Sequence, residues 1–219
     1  MAYPLKTWDG TQWVQVSSAS TDLSIYYTQS AADAKFVSAV NNGMFLVKPT
    51  SVTGGTLGAN GAITVGSGVT SVVVNGAFSS AYTDYEIIWS GGVMASSSND
   101  SQLAMILNGA TTANYSNFLT YWNGSSNLVA GSSGVSNWQW IGGGSTGSGL
   151  MQVKLYAPFL PVHTRMESGT YNSWNNGFIG NVKGWHTLST SYTGFTVNVT
   201  GTGSMTGGTM RIYGYNNGA

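Results

Sequence analysis

The chain has 219 residues, room for one β-rich domain of ordinary size and a small appended segment rather than two full domains. Charged residues make up only 6% against 42% hydrophobic, so Ser, Thr, Asn and Gly must cover the surface, and the pairing of low hydrophobicity with high charge that marks disorder is absent. Seven Lys and Arg balance seven Asp and Glu, which removes the field that phosphate binding requires, excludes nucleic acid as a main partner, and favours association.

The start, MAYPLKTWDG, lacks the charged head and apolar centre of a signal peptide, and no apolar run approaches the ~20 residues of a membrane span. The expectation is a chain made in a cytoplasm, with no membrane insertion. Cysteine is absent, so disulfides and thiolate metal sites are excluded.

In chain order, Asp9-Gly10 lies between β-prone residues carrying Trp8 and Trp13, a strong hairpin signal with Asp9-Gly10 at the tip. An isolated hairpin is marginal in water, so the two indoles are expected to pack against something else. Ser30 followed by Asp33 resembles a capping box and Gly43 suits a position just past a helix end. A short helix from about Ala31 to Asn41 follows, with Ala32, Phe36, Ala39 and Val40 as its apolar stripe. A helix of that length is marginal alone, so it docks on its own domain or on symmetry mates.

Residues 48–61, KPTSVTGGTLGANG, have no periodic apolar face and read as a linker. The division expected is therefore 1–47 as an N-terminal segment, 48–61 as linker and 62–219 as the main domain. That domain offers candidate strands at Ala62–Val65, Ser71–Ala77, Tyr85–Ser90, Gln102–Leu107, Phe118–Trp122, Asn137–Ile141, Met151–Ala157, Phe195–Thr200 and Thr209–Tyr215. Alternation within several of them, and Gly/Ser/Asn clusters between them, predict an all-β, antiparallel sandwich of jelly-roll-like build.

Chemical motifs are sparse. Gly142-Gly143-Gly144-Ser145-Thr146-Gly147 fits both the dinucleotide and the nucleophile-elbow patterns, but each needs a helix afterwards. A strand pattern follows instead, so the segment reads as a loop. His163 and His186 have no metal-ligand spacing. Asp84 and Glu86 would share one strand face and read as solvated charges. No catalytic residue, metal or cofactor is assigned, and the chain is read as non-enzymatic.

Aromatic residues beside amides are the better candidates for binding. Tyr121 and Trp122 precede Asn123, Trp138 and Trp140 flank Gln139, and Tyr171, Trp174, Asn175 and Asn176 fall in a loop-like stretch. Rings with nearby amides suit a sugar surface. Trp138 and Trp140 would share a strand face and read as core or interface, whereas loops on a rigid scaffold tend to carry recognition.

The stretch His186–Val197, HTLSTSYTGFTV, followed by Gly207–Tyr215, GGTMRIYGY, resembles the ending of many bacteriophage tail-fibre and minor tail proteins. Ala77–Ile88, AFSSAYTDYEII, is similar to an early strand of such domains, and Tyr27–Val37 looks like their short repeated units, here in a single copy. The resemblance implies a homotrimer in the virion, with the N-terminal part attached to other virion proteins through Trp8, Asp9, Gly10 and Trp13. It implies an outward C-terminal domain facing the host, and the aromatic residues beside amides, Tyr121, Trp122, Tyr171, Trp174, Asn175 and Asn176, are the candidates to meet a cell-surface glycan there. Ala32, Phe36, Ala39 and Val40 would then form trimer contacts. A capsid decoration or head-fibre protein, and a carbohydrate-binding lectin-like module, are the alternatives.

Overall fold

The computed structural model describes residues 6–15, 42–95, 102–110, 112–172 and 178–217. They fall in two units, 1–41 and 42–219.

In the first unit β1 (Lys6–Trp8) and β2 (Trp13–Gln15) form the expected hairpin, with Trp8 opposite Trp13. The tip is a four-residue loop rather than Asp9-Gly10 alone. The Asp9 carboxylate accepts from the Thr11 and Gln12 amides, each at 2.9 Å, and Gly10 takes the left-handed backbone (φ 100°) that the turn requires. Those bonds, the Thr11 amide first, hold the Asp9 carboxyl below its ordinary pKa. Trp8 and Trp13 pack edge to face on each other, with centroids 5.6 Å apart, and both remain exposed. The predicted helix at 31–41 and the stripe Ala32, Phe36, Ala39 and Val40 lie outside the described residues.

The second unit is an all-β antiparallel sandwich. Its strands are β3 (Asn42–Leu46), β4 (Ser51–Thr53), β5 (Gly55–Leu57), β6 (Ile63–Val65), β7 (Ser71–Asn75), β8 (Asp84–Ala95), β9 (Leu103–Leu107), β10 (Tyr115–Trp122), β11 (Asn127–Val135), β12 (Trp138–Gly144), β13 (Gly149–Tyr156), β14 (Arg165–Asn172), β15 (Phe178–His186), β16 (Phe195–Val199) and β17 (Ser204–Asn217). One layer runs β11-β10-β15-β14-β13-β8-β17-β3, and the other runs β12-β9-β16-β7-β4. They join where Gly149–Met151 of β13 pair with Gly142–Gly144 of β12.

Alternation builds the core. Met151, Val153 and Leu155 point in while Leu150, Gln152 and Lys154 point out, and Val72 and Val74 do the same on β7. Trp89, Trp138, Tyr85, Tyr115 and Phe195 are fully buried between the layers. Phe78 packs on Tyr85 and Phe195 at centroid distances of 4.8 and 5.7 Å, contacts worth ~0.5–1.5 kcal/mol each beyond their burial. The Tyr85 hydroxyl closes the loop before β8, accepting from the Ser79 amide and donating to the Ser79 carbonyl.

Three expectations are corrected. Residues 48–61 are no linker: β4 pairs with β7 and β5 with β6, and residues 42–46 of the supposed N-terminal segment pair with β17. The glycines there serve close packing, since a Cβ on Gly54 would lie 2.1 Å from the Ser71 carbonyl oxygen. The run Gly142–Gly144 is strand rather than loop, with only Ser145–Ser148 turning. Trp138 and Trp140 are not in simple alternation, because β12 bulges against β9 between Trp138 and Gly142, and Trp140 has φ 61°.

Candidate functional site

The layer containing β8, β13, β14 and β15 buries one face, so its other face is where side chains meet solvent. Cross-strand register assembles that outer face in rows. Tyr213, Glu86, Lys154, Glu167, Lys183 and Phe118 lie side by side on six neighbouring strands, β17 to β10. The next row reads Tyr215, Asp84, Tyr156, Arg165, Trp185 and Ser116, and the row on the other side reads Arg211, Ile88, Gln152, Gly169, Asn181 and Thr120. Four of the seven Lys and Arg and three of the seven Asp and Glu therefore share one face, and that concentration in a charge-poor chain marks it as the candidate site.

Glu86 is only 4% exposed. One carboxylate oxygen accepts from Gln152 Nε2 at 2.6 Å and the other from the Tyr215 hydroxyl at 2.6 Å. The expectation of solvated charges at Asp84 and Glu86 is overturned here. Gln152 and Tyr215 sit diagonally on the two flanking strands and reach over the carboxylate, and a buried charge needs such partners. Asp84 is also engaged, accepting from the Ala157 amide at 3.1 Å. Burial first, then the Glu86 hydrogen bond and charge, pushes the Tyr215 phenol up to about 12.

Glu167 pairs with Lys183 at 3.1 Å and accepts from the Tyr156 hydroxyl at 3.3 Å. Burial and then the Glu167 charge raise the Tyr156 pKa. The ion pair is exposed on both sides and contributes at most about 1 kcal/mol. Beside it runs a groove of about 640 Å³ lined by Tyr156, His163, Arg165, Glu167, Lys183 and Trp185. A second groove, of about 610 Å³, continues over Gln152, Lys154, Asn181 and Thr120. Trp185, Phe118, Ile179 and Trp122, on β15 and β10 of the same face, are all about half exposed.

The sequence-predicted aromatic residues separate. Trp122 is exposed on this face beside Ile179, but Tyr121 turns inward and packs against the core. The backbone register places Tyr171 in the row of Ile179 and Trp122, while Trp174, Asn175 and Asn176 lie outside the described residues. Trp138 is buried as core. Tyr156, Arg165, Glu167, Lys183 and Trp185 were not predicted, although Lys183-x-Trp185 and Lys154-x-Tyr156 carry the i, i+2 spacing of one strand face.

The side chains exposed on this face can serve recognition. The oxygens of Glu86 are taken up by hydrogen bonds, and His186 is fully buried with its Nδ1 3.2 Å from the Tyr192 hydroxyl. Burial lowers the His186 pKa. Among the described residues no grouping of His, Asp or Glu could hold a metal ion. Exposed rings, amides and alternating charges remain, a set suited to reversible contact with a polar, ring-bearing surface. No family model matches the chain, and no curated protein or solved structure matches it either. The likeness to tail-fibre endings rests on the residues quoted for it.

Proposed function

We propose that the chain is a non-enzymatic structural component of a phage virion, a tail fibre or minor tail protein that assembles as a homotrimer. After synthesis in the host cytoplasm, residues 1–41 hold it to other virion proteins through the exposed Trp8 and Trp13, and the sandwich presents its outer face to the host surface. The observation that carries this reading is the gathering of half the charged residues with exposed Trp185, Phe118 and Trp122 on one open sheet face. A face of that kind on a charge-poor domain serves contact, because loss of charge elsewhere leaves it as the place where electrostatics can select a partner. The resemblance of 186–197 and 207–215 to tail-fibre endings supports the virion location.

The test compares the full chain with residues 42–219. Light scattering should give a trimer for the full chain, and only the full chain should be incorporated into particles, with the sandwich folded in both. A full chain that is monomeric in solution contradicts the reading. The same rings and amides favour a second reading, a free lectin-like module, which predicts glycan binding by residues 42–219 as a monomer and no incorporation into particles.

A further inference from the structure

Three of the four cations of the outer face, Arg211 aside, can be told apart by their neighbours. Lys154 stands between Glu86 and Glu167, and Lys183 is bonded to Glu167. Arg165 stands between Tyr156 and Trp185, aromatic on both sides. Among the described residues the ion pair formed is Lys183–Glu167, and none involves Arg165; Glu167 is bonded to Lys183 and Tyr156, and Asp84 to the Ala157 amide. Arg165 is exposed, as is His163, and both line the groove of about 640 Å³ that Trp185 borders. That volume is within the ~300–1,000 Å³ of small-ligand clefts.

We infer that this groove binds an acidic saccharide, its carboxylate paired with Arg165 and its ring stacked on Trp185. The inference rests on the recognition reading above and names the ligand class for that face. An unpaired guanidinium beside a ring selects for a ligand that offers both a planar anion and an apolar sugar face. Guanidinium matches carboxylate with two parallel hydrogen bonds, and the indole supplies area at low entropy cost. A neutral sugar would stack but leave Arg165 solvated, and a bare anion would pair but leave Trp185 uncovered.

The full chain is titrated by calorimetry with oligogalacturonate and with the neutral galactose oligomer of equal length, alongside Arg165→Gln and Trp185→Ala. The acidic oligomer should bind ten- to a hundredfold more tightly, roughly the worth of one charge-assisted bond. Arg165→Gln should abolish that preference, and Trp185→Ala should weaken both ligands. Equal affinity for the two oligomers, or a preference that survives Arg165→Gln, overturns the inference while leaving a recognition face in place if Trp185→Ala still weakens binding. Inorganic phosphate displacing the oligomer at equal concentration reassigns the groove to bare anions and also overturns it. Absence of binding by either oligomer removes both the inference and the glycan part of the reading beneath it.

Discussion

Glu86 is the residue where sequence and structure differ most, and its environment can be tested quantitatively. The carboxylate is 4% exposed and held by two 2.6 Å bonds, from Gln152 and Tyr215. Bonds to a charged group are worth about 1.5–3 kcal/mol each. Tyr215→Phe removes one donor and should cost about 2 kcal/mol, or ~4–8 °C in Tm for a domain of this size. Glu86→Gln keeps the shape but reduces charge-assisted bonds to neutral ones, a loss of about 1–2 kcal/mol. The double variant should fall short of the sum by about 1 kcal/mol, because each change removes the same contact. Urea denaturation followed by tryptophan fluorescence, at constant m, gives all four values. The sign of the pH effect follows from the same pair. The folded-state phenol is raised to about 12, above an unfolded value of about 10, so its contribution is full below pH ~10 and is lost as pH rises toward 12. Tyr215→Phe should flatten that alkaline slope. Additivity within about 0.5 kcal/mol, with the slope unchanged, would refute the account of Glu86 as a buried, bonded carboxylate.

A Cβ on Gly149 would lie 2.4 Å from the buried Trp89 ring, whereas one on Gly169, on the outer face of β14, meets nothing within 4 Å. Gly149→Ala should therefore cost about 1–3 kcal/mol and Gly169→Ala should be neutral or stabilising by up to ~1 kcal/mol, both read from thermal unfolding. Lys183→Gln should change stability by less than about 1 kcal/mol, since its partner and solvent are both at hand; chemical denaturation checks it. The lowered pKa of His186 means the unfolded chain takes up the proton first. Its contribution is present above pH ~6.5 and fades as pH falls further. His186→Gln should reduce the drop in Tm between pH 7 and 5.

The architecture was legible where inward positions are apolar, and illegible where they are not. Met151–Tyr156 and Thr209–Tyr215 show their period openly, and β7, β13, β16 and β17 form where they were expected. On β14 and β15 the inward positions include Ser168 and Gly184, which mask the alternation. Gly184 is small because the Trp138 indole fills its space, 2.7 Å from where a Cβ would stand, and Ser168 turns its hydroxyl to the Ile141 and Gln152 carbonyls. Those two substitutions concealed the strands that carry Arg165, Glu167, Lys183 and Trp185. Clustered glycine at 54–61 looks like a linker in the sequence, although the backbones of β4 to β7 approach too closely there for a Cβ. Nothing local in the sequence told that Gln152 and Tyr215 would close over Glu86, since that depends on the register of three strands.

The central claim, a structural protein carried on the virion with its sandwich outward, is tested most directly by electron microscopy of purified phage particles labelled with gold-conjugated antibody against residues 42–219. The account predicts label on the tail or its fibres of intact particles. Particles that remain unlabelled while the protein is found free in the lysate would contradict it.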